Sequence, residues 1–249
     1  MNSIKRKKLR IAAVIVIALL VLTVGGCMIY VSDYYHADTQ RIEVFLQDLD
    51  VDKILLPGGG VAYGKPDAEI GLIFYPGGKV EHTAYEPLMC RLAAGGIFCV
   101  LTEMPFHLAV LDMNAADGVI AMYPEIDCWY IGGHSLGGAM AASYATENSE
   151  RLAGVVLLGA YSSANLSNTG LRVLSLYGRE DKIMNRKKYD EYKGNLPEKL
   201  TEIVIEGGCH AYFGMYGEQD GDGMPTLHAE EQIVLTADYI TQWITEGEK

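Results

Sequence analysis

Short runs that are apolar on both faces recur along this 249-residue chain, separated by longer stretches with helical spacing. The clearest are "IGLIFY" (70–75), "IFCVLT" (97–102), "CWYIGG" (128–133), "GVVLLGA" (154–160) and "LRVLSLYG" (171–178), with "TEIVIEGG" (201–208) following them. A strand with no polar side must be covered on both faces. Strands of that kind alternating with helices pair in parallel through helical crossovers. The pattern therefore predicts an α/β architecture, a mostly parallel central sheet with helices on both faces. Helices are expected near 82–96, through 111–123 and finally through "AEEQIVLTADYITQWI" (229–244). Two earlier segments, "IEVFLQ" (42–47) and "KILLPGGGVAYG" (53–64), are expected to add antiparallel edge strands. No internal repeat or low-complexity tract interrupts the pattern, and one globular domain accounts for the length.

One strand of this series ends in an unusual bend, "WYIGGHSLGGAMAA" (129–142). Its "GHSLG" matches G-x-S-x-G, the nucleophile elbow, in which a serine sits on a tight strand-to-helix turn above the sheet. With 28 glycines in the chain, chance alone yields about 0.1 such matches, so the pentapeptide is weak evidence without its context. The context is a strand directly before it and a helix of small residues directly after it. Side chains at Gly133 or Gly137 would collide across the turn, and Gly138 lets the helix pack close to the sheet.

A serine hydroxyl needs a base, and the base needs an orienting acid. After an elbow of this type the expected chain order is serine, then acid, then histidine, each beyond a strand's carboxyl end. "SLYGREDKI" supplies Asp181 after one strand, with Glu180 as a competing acid, and "VIEGGCHAYFG" supplies His210 after the next. Alone, either carboxylate reads as a solvated loop charge and the histidine as a structural one. The ordered set of Ser135, Asp181 and His210 reads as a catalytic triad. His36 follows the apolar N-terminal run, His82 and His228 read as helix-start surface residues, and His107 lies in a loop that could line a pocket. Two backbone N–H groups should face the developing oxyanion. Leu136, next to the serine, offers one. The loop "YPGGKVEH" (75–82) offers the other at Gly78, with Lys79 as its alternative.

These residues resemble the α/β-hydrolase superfamily over nearly all of the chain beyond its N-terminal segment. More narrowly, "FYPGGKVEHTAYEPL", "GGHSLGGAMAA" and "GGCHAYFGMYGEQDGDG" resemble a bacterial group related to the dienelactone hydrolases. The resemblance implies Ser135 as nucleophile, Asp181 as acid and His210 as base, and it fixes no substrate. Cys209 beside the histidine departs from the polar residue expected there. Only about ten residues, "YSSANLSNTG", separate two of the strands where such hydrolases often insert a lid. That is too short for a helical cap, so no substantial lid and a comparatively open site are expected.

Five basic residues lie within the first ten positions, and the rest of the chain carries 15 basic against 32 acidic residues, a net of -17. Such a body is repelled by phosphate backbones, which argues against nucleic acid as a partner. Between the basic cluster and the body, residues 11–31 carry no charge. At about 1.5 Å per residue that run spans roughly 30 Å, the thickness of a bilayer's hydrocarbon core. Residues 1–33 are expected to be a basic segment and membrane anchor, and residues 34–249 the α/β-hydrolase domain. The positive flank would hold the N-terminal side in the cytoplasm and place the domain outside. "VGGC" (24–27) resembles a lipobox, with lipidation at Cys27 as the alternative to an uncleaved transmembrane helix.

Cys90, Cys99, Cys128 and Cys209 show no paired spacing and read as buried free thiols. No metal-ligand spacing is evident and the chemistry expected needs no cofactor. "EQDGDG" (218–223) resembles a calcium loop, but Glu218 replaces the first aspartate and Ala229 stands where the bidentate glutamate belongs. A solvated acidic turn is expected. The expected function is that of a membrane-tethered serine hydrolase cleaving carboxylic esters or thioesters. The alternatives are an acyltransferase using the same triad and a non-catalytic hydrolase-fold protein that binds a ligand or partner.

Overall fold

The computed structural model describes residues 3–246, and the chain divides into two compact units, Met1–Tyr34 and Tyr35–Lys249. The first is a single helix, α1 (Ser3–Ser32). Within it Arg10–Ser32 is 23 residues long with mean hydropathy 2.8, long and apolar enough to cross a membrane, as a signal sequence also can be. Its exposed apolar side chains run all the way round, so it has no polar face to turn toward water.

The second unit is built on one eight-stranded sheet. The strands are β1 (Lys53–Leu55), β2 (Val61–Tyr63), β3 (Ile70–Tyr75), β4 (Phe98–Leu101), β5 (Cys128–His134), β6 (Gly154–Leu158), β7 (Arg172–Gly178) and β8 (Leu200–Ile205). They are ordered β1-β2-β4-β3-β5-β6-β7-β8. β1 and β2 run antiparallel at one edge, and every pairing from β4 through β8 is parallel. Alternate residues of the same strands enter two separate cores. Leu72, Phe74, Tyr130, Val156 and Leu174 pack on one face, against Leu88 and Leu92 of α3 (Glu86–Ala94) and Ile233, Ile240 and Trp243 of α7 (Ala229–Glu246). Ile73, Tyr75, Ile131, Val155 and Val173 pack on the other, against Ala116 of α4 (Ala115–Met122) and Ala141, Tyr144 and Ala145 of α5 (Leu136–Glu147). Each buried Leu, Ile or Val contributes roughly 1.5–3 kcal/mol of hydrophobic stabilisation, so β3, β5, β6 and β7 are held from both sides.

The pattern of the central strands is as expected, and the antiparallel edge is formed by "KIL" and "VAY". "IEVFLQ" is corrected: it lies in a helix, α2 (Thr39–Leu46). Ile42 is buried while Phe45 and Leu46 pack against the same core. That i, i+3, i+4 spacing is helical, and the Asp38 side chain caps the helix by accepting the Arg41 N–H at 3.1 Å. A short helix not anticipated from sequence, α6 (Arg186–Tyr192), crosses between β7 and β8, capped by the Asn185 side chain. Between Leu158 and Arg172 the chain has no helix, so nothing in this connection caps the sheet's carboxyl edge.

Candidate active site

Ser135 stands between β5 and α5 with φ 52° and ψ −119°, a left-handed backbone that a non-glycine residue adopts only when its surroundings enforce it. The enforcement is visible. Its N–H donates to the Leu158 carbonyl at 2.9 Å. A Cβ on Gly137 would lie 2.2 Å from the carbonyl oxygens of Tyr75 and Pro76, and one on Gly133 would lie 2.6 Å from the Gly137 backbone. A Cβ on Gly138 would lie 2.7 Å from Ala160, in the connection after β6. The glycines admit neighbouring backbone on all sides of the serine.

Asp181 and His210 follow β7 and β8, and both are buried. His210 Nδ1 is 2.8 Å from Asp181 Oδ2, while Asp181 Oδ1 accepts the N–H groups of Ile183 at 2.9 Å and Met184 at 2.8 Å. A carboxylate offers only acceptors, so Nδ1 carries the proton and Nε2 is left as the basic nitrogen. Of the two candidate acids it is Asp181, not Glu180, that meets the histidine. Glu180 is instead tied through its backbone N–H to the Gly208 carbonyl at 2.9 Å. Gly159, directly after β6 with φ 52°, makes room for the pair: a Cβ there would lie 2.9 Å from His210 Nδ1 and 3.2 Å from Asp181 Oδ2.

The third element comes in through the serine's neighbour. The ring of His134 lies 4.4 Å from that of His210, centre to centre. One cleft of about 340 Å³ is lined by Ser135 and Leu136 together with Gly159, Ile183 and Met184, the residues that touch or hold the acid–base pair. Segments far apart in the chain thus share one rim of the sheet.

Among the loop amides, Gly77 N–H donates to the Tyr85 hydroxyl at 3.0 Å and Lys79 N–H to the His107 carbonyl at 2.8 Å. Gly78 N–H, between them, meets no acceptor among the described residues. A Cβ on Gly78 would lie 2.9 Å from the Leu136 side chain, so the loop and the start of α5 are in contact. The arrangement distinguishes Gly78 from Lys79, whose amide is already engaged.

Three supporting residues escape sequence reasoning. His134, the first variable position of the pentapeptide, is buried, and its Nδ1 shares a hydrogen bond with the Tyr85 hydroxyl at 2.7 Å, while that hydroxyl accepts from the Gly77 N–H. Burial, and then the neighbouring His210, hold the His134 pKa well below the usual imidazole value. Gln232, buried on α7, brackets the peptide of Cys209: its Oε1 accepts the Cys209 N–H at 2.9 Å and its Nε2 donates to the Cys209 carbonyl at 2.8 Å. Cys209 itself is a free buried thiol that burial, followed by the nearby Asp222 carboxylate, pushes up to about 12, so it offers no competing thiolate near neutral pH. Of the other histidines, His36 and His228 are exposed, His82 is half-buried, and His107 contributes its carbonyl to the Gly78 loop. No group of three His, Cys, Asp or Glu side chains suited to a metal occurs among the described residues.

Comparison with known proteins places this geometry in context. A family model described as the alpha/beta hydrolase family matches residues 71–234. Among solved structures, a CIB-like hydrolase from Thermoplasma acidophilum is similar in fold, with a TM-score of 0.55 at 12% identity, over 78% of this chain and 99% of that one. No curated protein matches the chain.

Proposed function

The chain belongs to the alpha/beta hydrolase family, and from that premise we propose that it is a serine hydrolase acting on carboxylic esters or thioesters through an acyl-enzyme. Ser135 attacks the carbonyl as His210 Nε2 takes its proton. The N–H groups of Gly78 and Leu136 receive the oxyanion, and His210 returns the proton to the leaving group. Water activated by the same imidazole then releases the acid. Asp181 keeps the imidazole in the required tautomer and stabilises its charged form. The observation that carries the reading is the buried His210–Asp181 hydrogen bond at 2.8 Å, set beside a serine strained at φ 52°. Such a buried acid–base pair has a clear use beside a nucleophile, and strain of that kind clusters at reacting centres.

The helix-free connection after β6 supports small esters, or acyl groups exposed on a larger molecule, as the substrate class. The apolar α1 supports a membrane tether, with the domain on the extracytoplasmic side because the basic residues precede it. Protease added to intact cells is then expected to digest the domain, and protection until the cells are lysed would overturn that orientation.

A fluorophosphonate probe tests the chemistry. The wild type should be labelled covalently and Ser135→Ala should not. Equal labelling of both would remove Ser135 as the nucleophile, and a folded wild type left unlabelled would favour a binding protein.

A further inference from the structure

We infer that Asp222 is a positioning residue for the acid–base pair, tying the loop that carries Asp181 to the loop that carries His210; the inference rests on the triad reading above. Near their roots the two loops are joined by backbone bonds, through Arg179 N–H to the Ile205 carbonyl and Glu180 N–H to the Gly208 carbonyl, each at 2.9 Å, and by the exposed Arg179–Glu206 ion pair. Beyond them, among the described residues, no further backbone hydrogen bond links the two loops, and Asp222 bridges them there. Its Oδ2 accepts the N–H of Ala211 at 2.9 Å, and its Oδ1 accepts the N–H of Lys182 at 3.3 Å and of its neighbour Gly223 at 2.8 Å. Lys182 and Ala211 are the residues immediately after Asp181 and His210. Gly223 brings the turn into direct contact with the acid loop, since a Cβ there would overlap the Glu180 carbonyl oxygen at 1.7 Å.

The "EQDGDG" turn reads in the sequence as merely solvated. Its last carboxylate instead accepts from three backbone donors, the Ala211 and Gly223 N–H groups at short range and the Lys182 N–H at 3.3 Å. A misplacement of about 1 Å at a reacting centre can cost about 100-fold in rate. A staple joining the two loops one residue beyond the pair therefore acts where geometry matters most.

The test compares Asp222→Ala, Asp222→Asn and Asp220→Asn in the full chain, the last removing an exposed charge from the same turn. Fluorophosphonate labelling of Ser135 should slow about 10- to 100-fold in Asp222→Ala, less in Asp222→Asn, which keeps one acceptor oxygen, and not at all in Asp220→Asn. The acid limb of the labelling rate should move to lower pH in Asp222→Ala, because a loosened Asp181 favours the charged imidazole less. The groups facing that imidazole are Asp181 and His134. The proton resonance of His210 Nδ1–H should broaden or shift in the same variant. Should Asp222→Ala fail to fold, Asp222→Asn carries the comparison. A folded variant with an unchanged pH profile and an unchanged Nδ1–H resonance overturns the inference, whatever its rate. If the wild type is not labelled, the serine-hydrolase reading falls and the resonance alone decides the staple.

Discussion

At the scale of single residues, the imidazole of His134 lies against that of His210, 4.4 Å centre to centre. His134 is buried, with its Nδ1 2.7 Å from the Tyr85 hydroxyl. Its folded-state pKa lies below the unfolded value of about 6.5. Above that pH both states are uncharged and His134 contributes no pH dependence. As pH falls below it, the unfolded chain binds a proton that the folded chain refuses, and stability drops by up to about 1.4 kcal/mol per pH unit. His82, also lowered by burial, adds a smaller effect of the same sign. Thermal unfolding between about pH 6.5 and 5 should therefore show a falling Tm in the wild type and a shallower fall in His134→Gln; identical slopes would contradict the role given to His134. The order and strand-end placement of Ser135, Asp181 and His210 could be read from sequence because each follows an apolar run. His134, Tyr85, Gly159 and Asp222 could not, since they act through space on residues far away in the chain.

At the scale of elements, α7 does more than cover the sheet. Its Gln232 holds the Cys209 peptide from both sides, one residue before His210. Gln232→Leu keeps the volume but orphans a buried N–H and a buried carbonyl, at about 1–3 kcal/mol each. For a domain of this size each kcal/mol lowers Tm by about 2–4 °C. Calorimetry should find a drop of several degrees, and an unchanged Tm would show that the clamp contributes nothing. This contact leaves no mark in the sequence, where Gln232 is one polar residue in an amphipathic helix. α2 escapes sequence reading for a different reason. Over the six residues of "IEVFLQ" the apolar positions fit period 2 as readily as period 3.6, and the capping Asp38 lies outside the segment. The long, doubly apolar strands carry no such ambiguity, because both of their faces are buried in the fold.

At the scale of the whole molecule, the parallel sheet is what turns distant segments into neighbours. β5, β6, β7 and β8 lie side by side with their carboxyl ends at one rim, so the loops after them deliver Ser135, Gly159, Asp181 and His210 to one place. That architecture was legible because a parallel sheet buried on both sides needs apolar strands and regular crossovers, and both are written in the order of residues. The choice of substrate is not, because it depends on the shape of a cleft assembled from the Gly78 loop, α5 and the β6–β7 connection. The most direct measurement of the central claim is to quench the protein in acid during turnover of an activated acetyl ester and map the modified peptide by mass spectrometry. An acetyl group is expected on Ser135, absent in Ser135→Ala. Ester turnover with the acetyl group on another residue, or undiminished in Ser135→Ala, would contradict it.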